Sequence, residues 1–66
     1  MVKVNKIRGL IVEKQLTIQK VAELMDISVN TLSRKLNGKG DFGTEEAQKL
    51  IEILDIKDPT DIFFGN

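Results

Sequence analysis

Apolar residues recur at three- and four-residue spacing along most of the chain, which is the spacing of one face of an α-helix. At the two ends of the chain this spacing predicts a first helix over about residues 4–14, a fourth helix that begins at Thr44 and ends near Asp55, and a short fifth helix over residues 59–64. The apolar positions of these three helices are Val4, Ile7 and Ile11, then Ala47, Leu50, Ile51 and Leu54, then Ile62, Phe63 and Phe64. With two more helices in the centre, the pattern predicts an all-α fold of five helices.

The central segment, residues 17–38, has the pattern of two short helices joined by a tight turn. Thr17 can cap the first of these helices, and Asp26 should end it, because aspartate tolerates turn and left-handed backbone. Ser28 then offers the N-cap of the second helix. The apolar residues of the segment are Val21 and Leu24 in the first helix, Ile27 at the corner, and Leu32 and Leu36 in the second helix.

The second helix of this pair is predicted over about residues 29–37, with Leu32 and Leu36 one turn apart and facing inward. Five polar side chains are left outside: Asn30, Thr31, Ser33, Arg34 and Lys35. Such side chains suit the major groove of DNA, since asparagine can bond bidentately to adenine and arginine to guanine, and the Val29 methyl groups could contact a thymine methyl. Taken by themselves, the same residues are also typical of any solvent-exposed helix face.

The formal net charge is zero, but the charges are unevenly distributed. Residues 1–20 carry five basic side chains and one acidic side chain, and residues 28–40 carry three basic side chains and no acidic one. Residues 21–27 carry two acidic side chains, Glu23 and Asp26, and residues 41–66 carry seven acidic side chains and two basic ones. Because phosphate contacts dominate nucleic-acid affinity, one end of the molecule could face DNA while the acidic end points away. The same asymmetry is compatible with a solvated surface that has no charged partner.

The composition excludes several function classes. Without Cys and His, the chain has no disulfides, no typical zinc ligands and no thiol or imidazole catalysis. It also lacks a phosphate-binding glycine loop, and Glu45 and Glu46 are typical of residues beside a helix N-terminus. We therefore expect no enzymatic activity, no metal, no cofactor and no small-molecule ligand. Residues 1–66 are expected to form one domain, and the lack of a membrane-spanning run or a signal peptide predicts a cytoplasmic protein.

Nearly the whole chain resembles the Cro and repressor family of phage and bacterial helix-turn-helix regulators, also called the XRE family. Residues 7–17 (IRGLIVEKQLT) resemble the first helix of the family and its exit. Residues 21–28 (VAELMDIS) resemble its second helix and turn, and residues 31–39 (TLSRKLNGK) resemble its recognition helix and the loop after it. The resemblance implies a compact, lambda-repressor-like DNA-binding domain with a central helix-turn-helix.

The resemblance also assigns roles to individual residues. It implies DNA base contacts at Val29, Asn30, Ser33 and Arg34. It implies contacts with the DNA backbone at Thr17, Gln19, Thr31, Lys35, Asn37, Gly38 and Lys39. Gln19 belongs to this set because Ile18 occupies the position at which family members commonly have a phosphate-binding glutamine.

The last helix often forms the dimer interface in the family, which implies that Ile62, Phe63 and Phe64 contact a second copy of the chain. At least one of these side chains should instead close the core, because all three cannot point inward from so short a helix. An exposed aromatic side chain there would indicate a contact surface.

The chain departs from the family at a buried ion pair. Many relatives place an Arg–Glu pair between the first helix and the recognition helix, at positions that align with Ile11 and Leu36. Replacing a buried ion pair by packed apolar residues is often neutral or stabilising, so the double change is physically consistent.

Taken together, these features predict a sequence-specific DNA-binding transcriptional regulator, a phage Cro-like repressor that binds double-stranded operator DNA as a homodimer. The alternative is a protein-interaction module, such as an antitoxin or anti-regulator, on the same helical scaffold. Ile18 and Val29 favour the alternative, because they are apolar where DNA-binding relatives are commonly polar.

Overall fold

The computed structural model describes residues 2–64, and of residue 64 it describes the backbone alone. The regular structure in this range is entirely helical, as the sequence predicts. Four α-helices are followed by a short π-helix: α1 (Val4–Glu13), α2 (Ile18–Met25), α3 (Val29–Leu36), α4 (Thr44–Leu54) and the π-helix (Thr60–Phe64). The helices pack around one centre, and the Cα radius of gyration is 10.6 Å.

A single apolar core joins all five helices. Its buried members are Ile7, Ile11, Val21, Ala22, Met25, Leu32, Leu36, Leu50, Leu54, Ile56, Ile62 and Phe63. Ile11 of α1 and Leu36 of α3 both belong to this core and are 3% and 2% exposed. Within the described residues, no buried polar side-chain atom lacks a hydrogen-bond partner. Among the described residues, no charged or polar residue is buried in this core.

The inward face of α2 differs from the predicted apolar positions. Val21, Ala22 and Met25 are buried, whereas Leu24 is 48% exposed. Because an α-helix turns by about 100° per residue, Leu24 lies to the side of the face that the other three residues form. Leu24 is therefore a surface residue, and spacing by itself did not distinguish it from the core residues of the same helix.

All four α-helices end in the same type of closure, in which one residue adopts positive φ and the next N–H returns to a carbonyl five residues earlier. The residues with positive φ are Gln15, Asp26, Gly38 and Asp55. The returning hydrogen bonds run from Leu16 to Ile11, from Ile27 to Ala22, from Lys39 to Arg34 and from Ile56 to Ile51, at 2.8–3.0 Å. This is the Schellman arrangement, which satisfies carbonyl groups that a helix end leaves unpaired.

The predicted fifth helix is present, but it is a π-helix and begins at Thr60. Asp58 caps it as predicted, since the Asp61 N–H donates to the Asp58 carboxylate at 3.2 Å. Its first apolar residues, Ile62 and Phe63, are 6% and 5% exposed. Both side chains close the core, as expected of at least one of the three apolar residues of this helix, and their assignment to a dimer interface is corrected. The side chain of Phe64 lies outside the described residues.

The N-terminal segment fastens this π-helix to α1. The Lys3 backbone N–H donates to the Ile62 carbonyl at 2.8 Å. The Asp61 carboxylate accepts from the Lys3 ammonium at 2.8 Å and also pairs with Lys6. The ring of Phe63 meets the ring of Phe42 edge to face, with centroids 6.4 Å apart. The contacts of Lys3 and Lys6 join the two ends of the described chain, and the contact of Phe42 joins the π-helix to the loop before α4.

Candidate nucleic-acid interface

The turn between α2 and α3 is built from side-chain caps and one left-handed residue. The Thr17 hydroxyl accepts from the Lys20 N–H at 3.0 Å, and the Ser28 hydroxyl accepts from the Thr31 N–H at 3.1 Å. Asp26, with φ 60° and ψ 41°, ends α2. The capping roles predicted for Thr17 and Ser28 and the helix-ending role of Asp26 are confirmed, so the angle between α2 and α3 is fixed by local hydrogen bonds.

Helix α3 has one buried and one solvent-facing side. Leu32 is fully buried and Leu36 is 2% exposed, which confirms that both point inward. The four residues predicted to contact bases lie on the rest of the helix: Val29, Asn30 and Arg34 are exposed and Ser33 is half-buried. Steps of three or four residues join these positions, so they form one strip along the helix.

The residues predicted to contact the DNA backbone fall at three places. Thr17 and Gln19 are exposed at the start of α2, where the Thr17 hydroxyl already serves as the cap. Thr31 is half-buried, and its hydroxyl shares a 2.8 Å hydrogen bond with the Ser28 hydroxyl. Three further members lie just after α3 and are exposed: Asn37, Gly38 and Lys39. The last member, Lys35, lies within α3 and is half-buried.

Lys35 is engaged inside the protein. Its ammonium donates to the Asp41 carbonyl at 2.6 Å and to the Glu46 carboxylate at 2.9 Å, and it lies 5.8 Å from the centre of the Phe42 ring. The side chain is 18% exposed. A phosphate contact by Lys35 would have to replace these interactions. In this structure Lys35 ties α3 to the following loop and to α4.

Glu46 is the acidic partner in this arrangement and also caps α4, because it accepts from the Gly43 N–H at 3.0 Å. Burial raises the pKa of Glu46, but hydrogen bonds from Lys35 and from the Gly43 backbone, together with the charges of Lys35 and Lys49, more than offset this effect. The pKa of Glu46 therefore lies below its usual value. The carboxylate stays ionised and neutralises Lys35.

The basic side chains divide into paired and unpaired groups. Within residues 2–64, ion pairs engage Lys3 and Lys6 with Asp61, Lys35 with Glu46 and Lys57 with Asp55. In the same range the basic residues outside these pairs are Arg8, Lys14, Lys20, Arg34, Lys39 and Lys49. Lys20, Arg34 and Lys39 belong to α2, α3 and the loop that follows. Glu23 and Asp26, in α2 and just after it, are exposed and also lie outside these ion pairs. The α2–α3 part of the surface therefore carries three unpaired cations beside two unpaired carboxylates, an excess of one positive charge.

Two contacts of this region were missed by sequence analysis. The Arg8 guanidinium donates through Nη2 to Oδ1 of Asn37 at 2.8 Å, across 29 positions of sequence. The Lys49 ammonium donates to the Met25 carbonyl at 3.2 Å, at the last residue of α2. No local pattern predicts either pair, because each depends on how separate helices pack.

An open groove of about 500 Å³ lies on another part of the surface, between α1 and the segment that follows α4. Leu10, Leu54, Ile56 and Ile62 contribute its apolar lining, and side chains of both charges surround them. No residue of α2 or α3 lines it.

Across residues 2–64, no three Asp or Glu side chains come together as a metal site would require. No helix in that range combines the length and hydropathy needed to cross a membrane.

The comparisons with known proteins give a family but no activity. A family model described as "Protein of unknown function (DUF739)" matches residues 2–65. No curated protein matches the chain, and neither does any solved structure.

Proposed function

The chain belongs to the DUF739 family, and we propose that it is a sequence-specific DNA-binding protein in which α2 and α3 form a helix-turn-helix and α3 enters the major groove. In this proposal it is a transcriptional repressor of the Cro type that acts in the bacterial cytoplasm. Enzymatic activity and bound cofactors form no part of the proposal.

The observation that carries the proposal is the division of α3 into two faces. Leu32 and Leu36 are held in the core, while Asn30 and Arg34 are exposed one turn apart. A rigid helix with this arrangement can present two side chains capable of bidentate hydrogen bonding to neighbouring base edges, arginine as a double donor and asparagine as donor and acceptor. The caps at Thr17 and Ser28 support the proposal, because they hold the helix in place before DNA arrives.

The charge distribution supports the same surface. Lys20, Arg34 and Lys39 have no ion-pair partner among residues 2–64, whereas Asp55 and Asp61 are paired with lysines elsewhere on the molecule. Phosphate neutralisation needs cations that are not already neutralised by the protein. A formal net charge of zero is therefore compatible with DNA binding by this part of the surface.

The proposed complex contains two copies of the chain on a palindromic operator, because dimers of helix-turn-helix proteins bind half-sites about one DNA turn apart. Ile62 and Phe63 do not form the contact between copies, since they are buried within one copy.

Selection of bound sites from a pool of random duplex DNA tests the proposal. The protein should enrich a single motif with two inverted half-sites, because α3 offers a fixed set of hydrogen-bond donors and acceptors to base edges. The matched control is the Asn30→Ala/Arg34→Ala double variant, which keeps Leu32 and Leu36 and should bind DNA without enriching the motif. A pool that stays random after repeated rounds with the wild type contradicts the proposal.

A second candidate function is a protein-interaction module, and two exposed apolar side chains favour it. Leu24 on α2 is 48% exposed and Val29 at the start of α3 is 41% exposed. A mobility-shift assay with sheared DNA at two salt concentrations separates the two functions. DNA binding that weakens at higher salt supports the first. No shift at low salt, with co-purification of a protein that Leu24→Gln abolishes, supports the second.

A further inference from the structure

We infer that Arg8 belongs to the DNA-contacting surface, where it forms a phosphate-binding cluster with Asn37 and Lys39 at the C-terminal end of α3. The inference rests on the proposed function and extends it to a residue of α1. Its ligand is a phosphodiester group of the DNA backbone, which carries no sequence information.

The cluster is held together by a contact between two helices. Nη2 of Arg8 donates to Oδ1 of Asn37 at 2.8 Å, although the two residues are 29 positions apart. Because the oxygen of the amide is engaged with Arg8, the Asn37 NH₂ group is the part that remains to donate to a ligand. Among the hydrogen bonds of residues 2–64, none uses this NH₂ group as a donor. The pair therefore presents further donors of both side chains from one place.

The backbone beside Asn37 is closed in a fixed conformation. The Gly38 N–H donates to the Lys35 carbonyl at 3.1 Å, and the Lys39 N–H donates to the Arg34 carbonyl at 2.8 Å. Gly38 has φ 78°, as this closure requires. Lys39 thus begins from a defined position next to Asn37, and its exposed ammonium has no ion-pair partner within the described residues.

Arg8 also differs from Lys6, the other basic residue of α1, in the charge of its partner. Lys6 is paired with Asp61, whereas the partner of Arg8 is a neutral amide. A guanidinium carries five N–H donors in a planar fork that matches two oxygens of a phosphate, and one hydrogen bond to Asn37 leaves most of them available. Arg8 thus adds a positive charge and Asn37 an amide donor beside the C-terminal end of α3, and Lys39, two residues further along the chain, adds a second positive charge.

The test measures how DNA affinity depends on salt for Arg8→Gln and for a control variant, Lys14→Gln. Both changes remove one positive charge from the end of the chain that contains α1, but Lys14 lies near Asp55 and lines the groove on another part of the surface. Arg8→Gln should reduce the slope of log affinity against log salt by about 0.9, the value of one lost phosphate contact. Lys14→Gln should leave this slope unchanged. Equal slopes for wild type and Arg8→Gln overturn the inference.

A second variant separates contact from positioning. Asn37→Ala removes the partner of Arg8 and one amide donor but no charge. If Arg8 touches phosphate itself, Arg8→Gln lowers the salt slope and Asn37→Ala lowers affinity with a smaller change in slope. If Arg8 acts only by orienting Asn37, both variants lose equal affinity and keep the wild-type slope, and that outcome overturns the inference. Thermal melts of each variant show whether the fold is retained.

A titration with inorganic phosphate at low salt tests anion binding at the cluster separately from DNA binding by the protein. In NMR spectra of the wild type, the side-chain N–H signals of Arg8 and Asn37 should shift during the titration. In Arg8→Gln, the side-chain N–H signals of Asn37 should no longer shift. If these signals shift but no DNA binds, the proposed function fails and the cluster is an anion site. If DNA binds and the signals do not respond to phosphate or to DNA, the cluster assignment fails and the proposed function stands.

Discussion

The ammonium group of Lys35 lies 2.9 Å from a carboxylate oxygen of Glu46, and this ion pair joins α3 to the first turn of α4. The two side chains are 18% and 24% exposed, so solvent screens the pair less than it screens the other ion pairs of the described residues. The resemblance to helix-turn-helix regulators implies a contact between Lys35 and the DNA backbone. The structure indicates that it holds the loop between α3 and α4.

Lys35→Met and Glu46→Gln should each lower the free energy of unfolding by about 1–3 kcal/mol, because each removes one charge of a partly buried ion pair and leaves the other charge without its counter-ion. The double variant should lose less than the sum of the two, since both changes break one interaction. Chemical denaturation of the four proteins measures this coupling. If Lys35→Met instead keeps full stability and lowers the salt slope of DNA binding by about one contact, Lys35 is a phosphate ligand.

Gly9 and Gly38 should respond to alanine with opposite signs. Gly9 lies inside α1, and a Cβ there meets nothing within 4 Å, so Gly9→Ala should stabilise the protein by about 0.5–1 kcal/mol through helix propensity. A Cβ at Gly38 has equal space, but its φ of 78° is unfavourable for alanine, so Gly38→Ala should destabilise by about 1 kcal/mol. Thermal unfolding of both variants checks this. Effects of the same sign would mean that one of the two backbone conformations is wrong.

The ion pairs of Asp61 should make the free energy of unfolding depend on pH in the acidic range. Hydrogen bonds from Lys3 and Lys6, together with their charges, lower the pKa of Asp61 to about 2 from the usual 3.8. Because the pKa of Asp61 is lower in the folded than in the unfolded state, its ionised carboxylate stabilises the fold fully when the pH lies above the unfolded-state pKa. This contribution is lost as the pH falls from about 4 to about 2. In Asp61→Asn and in Lys3→Gln, unfolding midpoints should therefore fall less over that interval than in the wild type. Parallel pH profiles for the three proteins would contradict this role for the ion pairs.

Phe63 should behave as a core residue. It is 5% exposed and packs edge to face on Phe42, so Phe63→Ala should cost about 3–5 kcal/mol of unfolding free energy. Urea denaturation measures the loss, and sedimentation at several concentrations reports association in parallel. If Phe63→Ala retains wild-type stability and converts a dimer to a monomer, the side chain belongs to an interface after all.

The features that sequence predicts here are those set by neighbouring residues. The caps at Thr17 and Ser28 and the end of α2 at Asp26 depend on hydrogen bonds and backbone conformation within three or four positions. The inward direction of Leu32 and Leu36 follows from helical spacing and their apolar character. The strip of α3 proposed to contact bases follows from the same local rules.

The features that sequence missed depend on contacts between distant segments. Arg8 meets Asn37 and Lys35 meets Glu46 through the packing of separate helices, and no spacing rule selects these partners among the other polar and charged side chains. Leu24 and Phe63 were misplaced for a related reason. Apolar character marks both as candidates for the core or a contact surface, and packing decides which position is buried.

The central claim is that α3 recognises DNA sequence, and the most direct measurement compares Arg34→Ala with Lys39→Ala on two duplexes, the selected site and a scrambled sequence. Arg34→Ala should lose about 1–3 kcal/mol of binding free energy on the selected site and much less on the scrambled one, because a base contact is lost only where the base is present. Lys39→Ala should lose the same amount on both duplexes, as a phosphate contact does. If Arg34→Ala weakens binding to the two duplexes equally, Arg34 is not a base contact and the assignment of α3 as the recognition helix is contradicted.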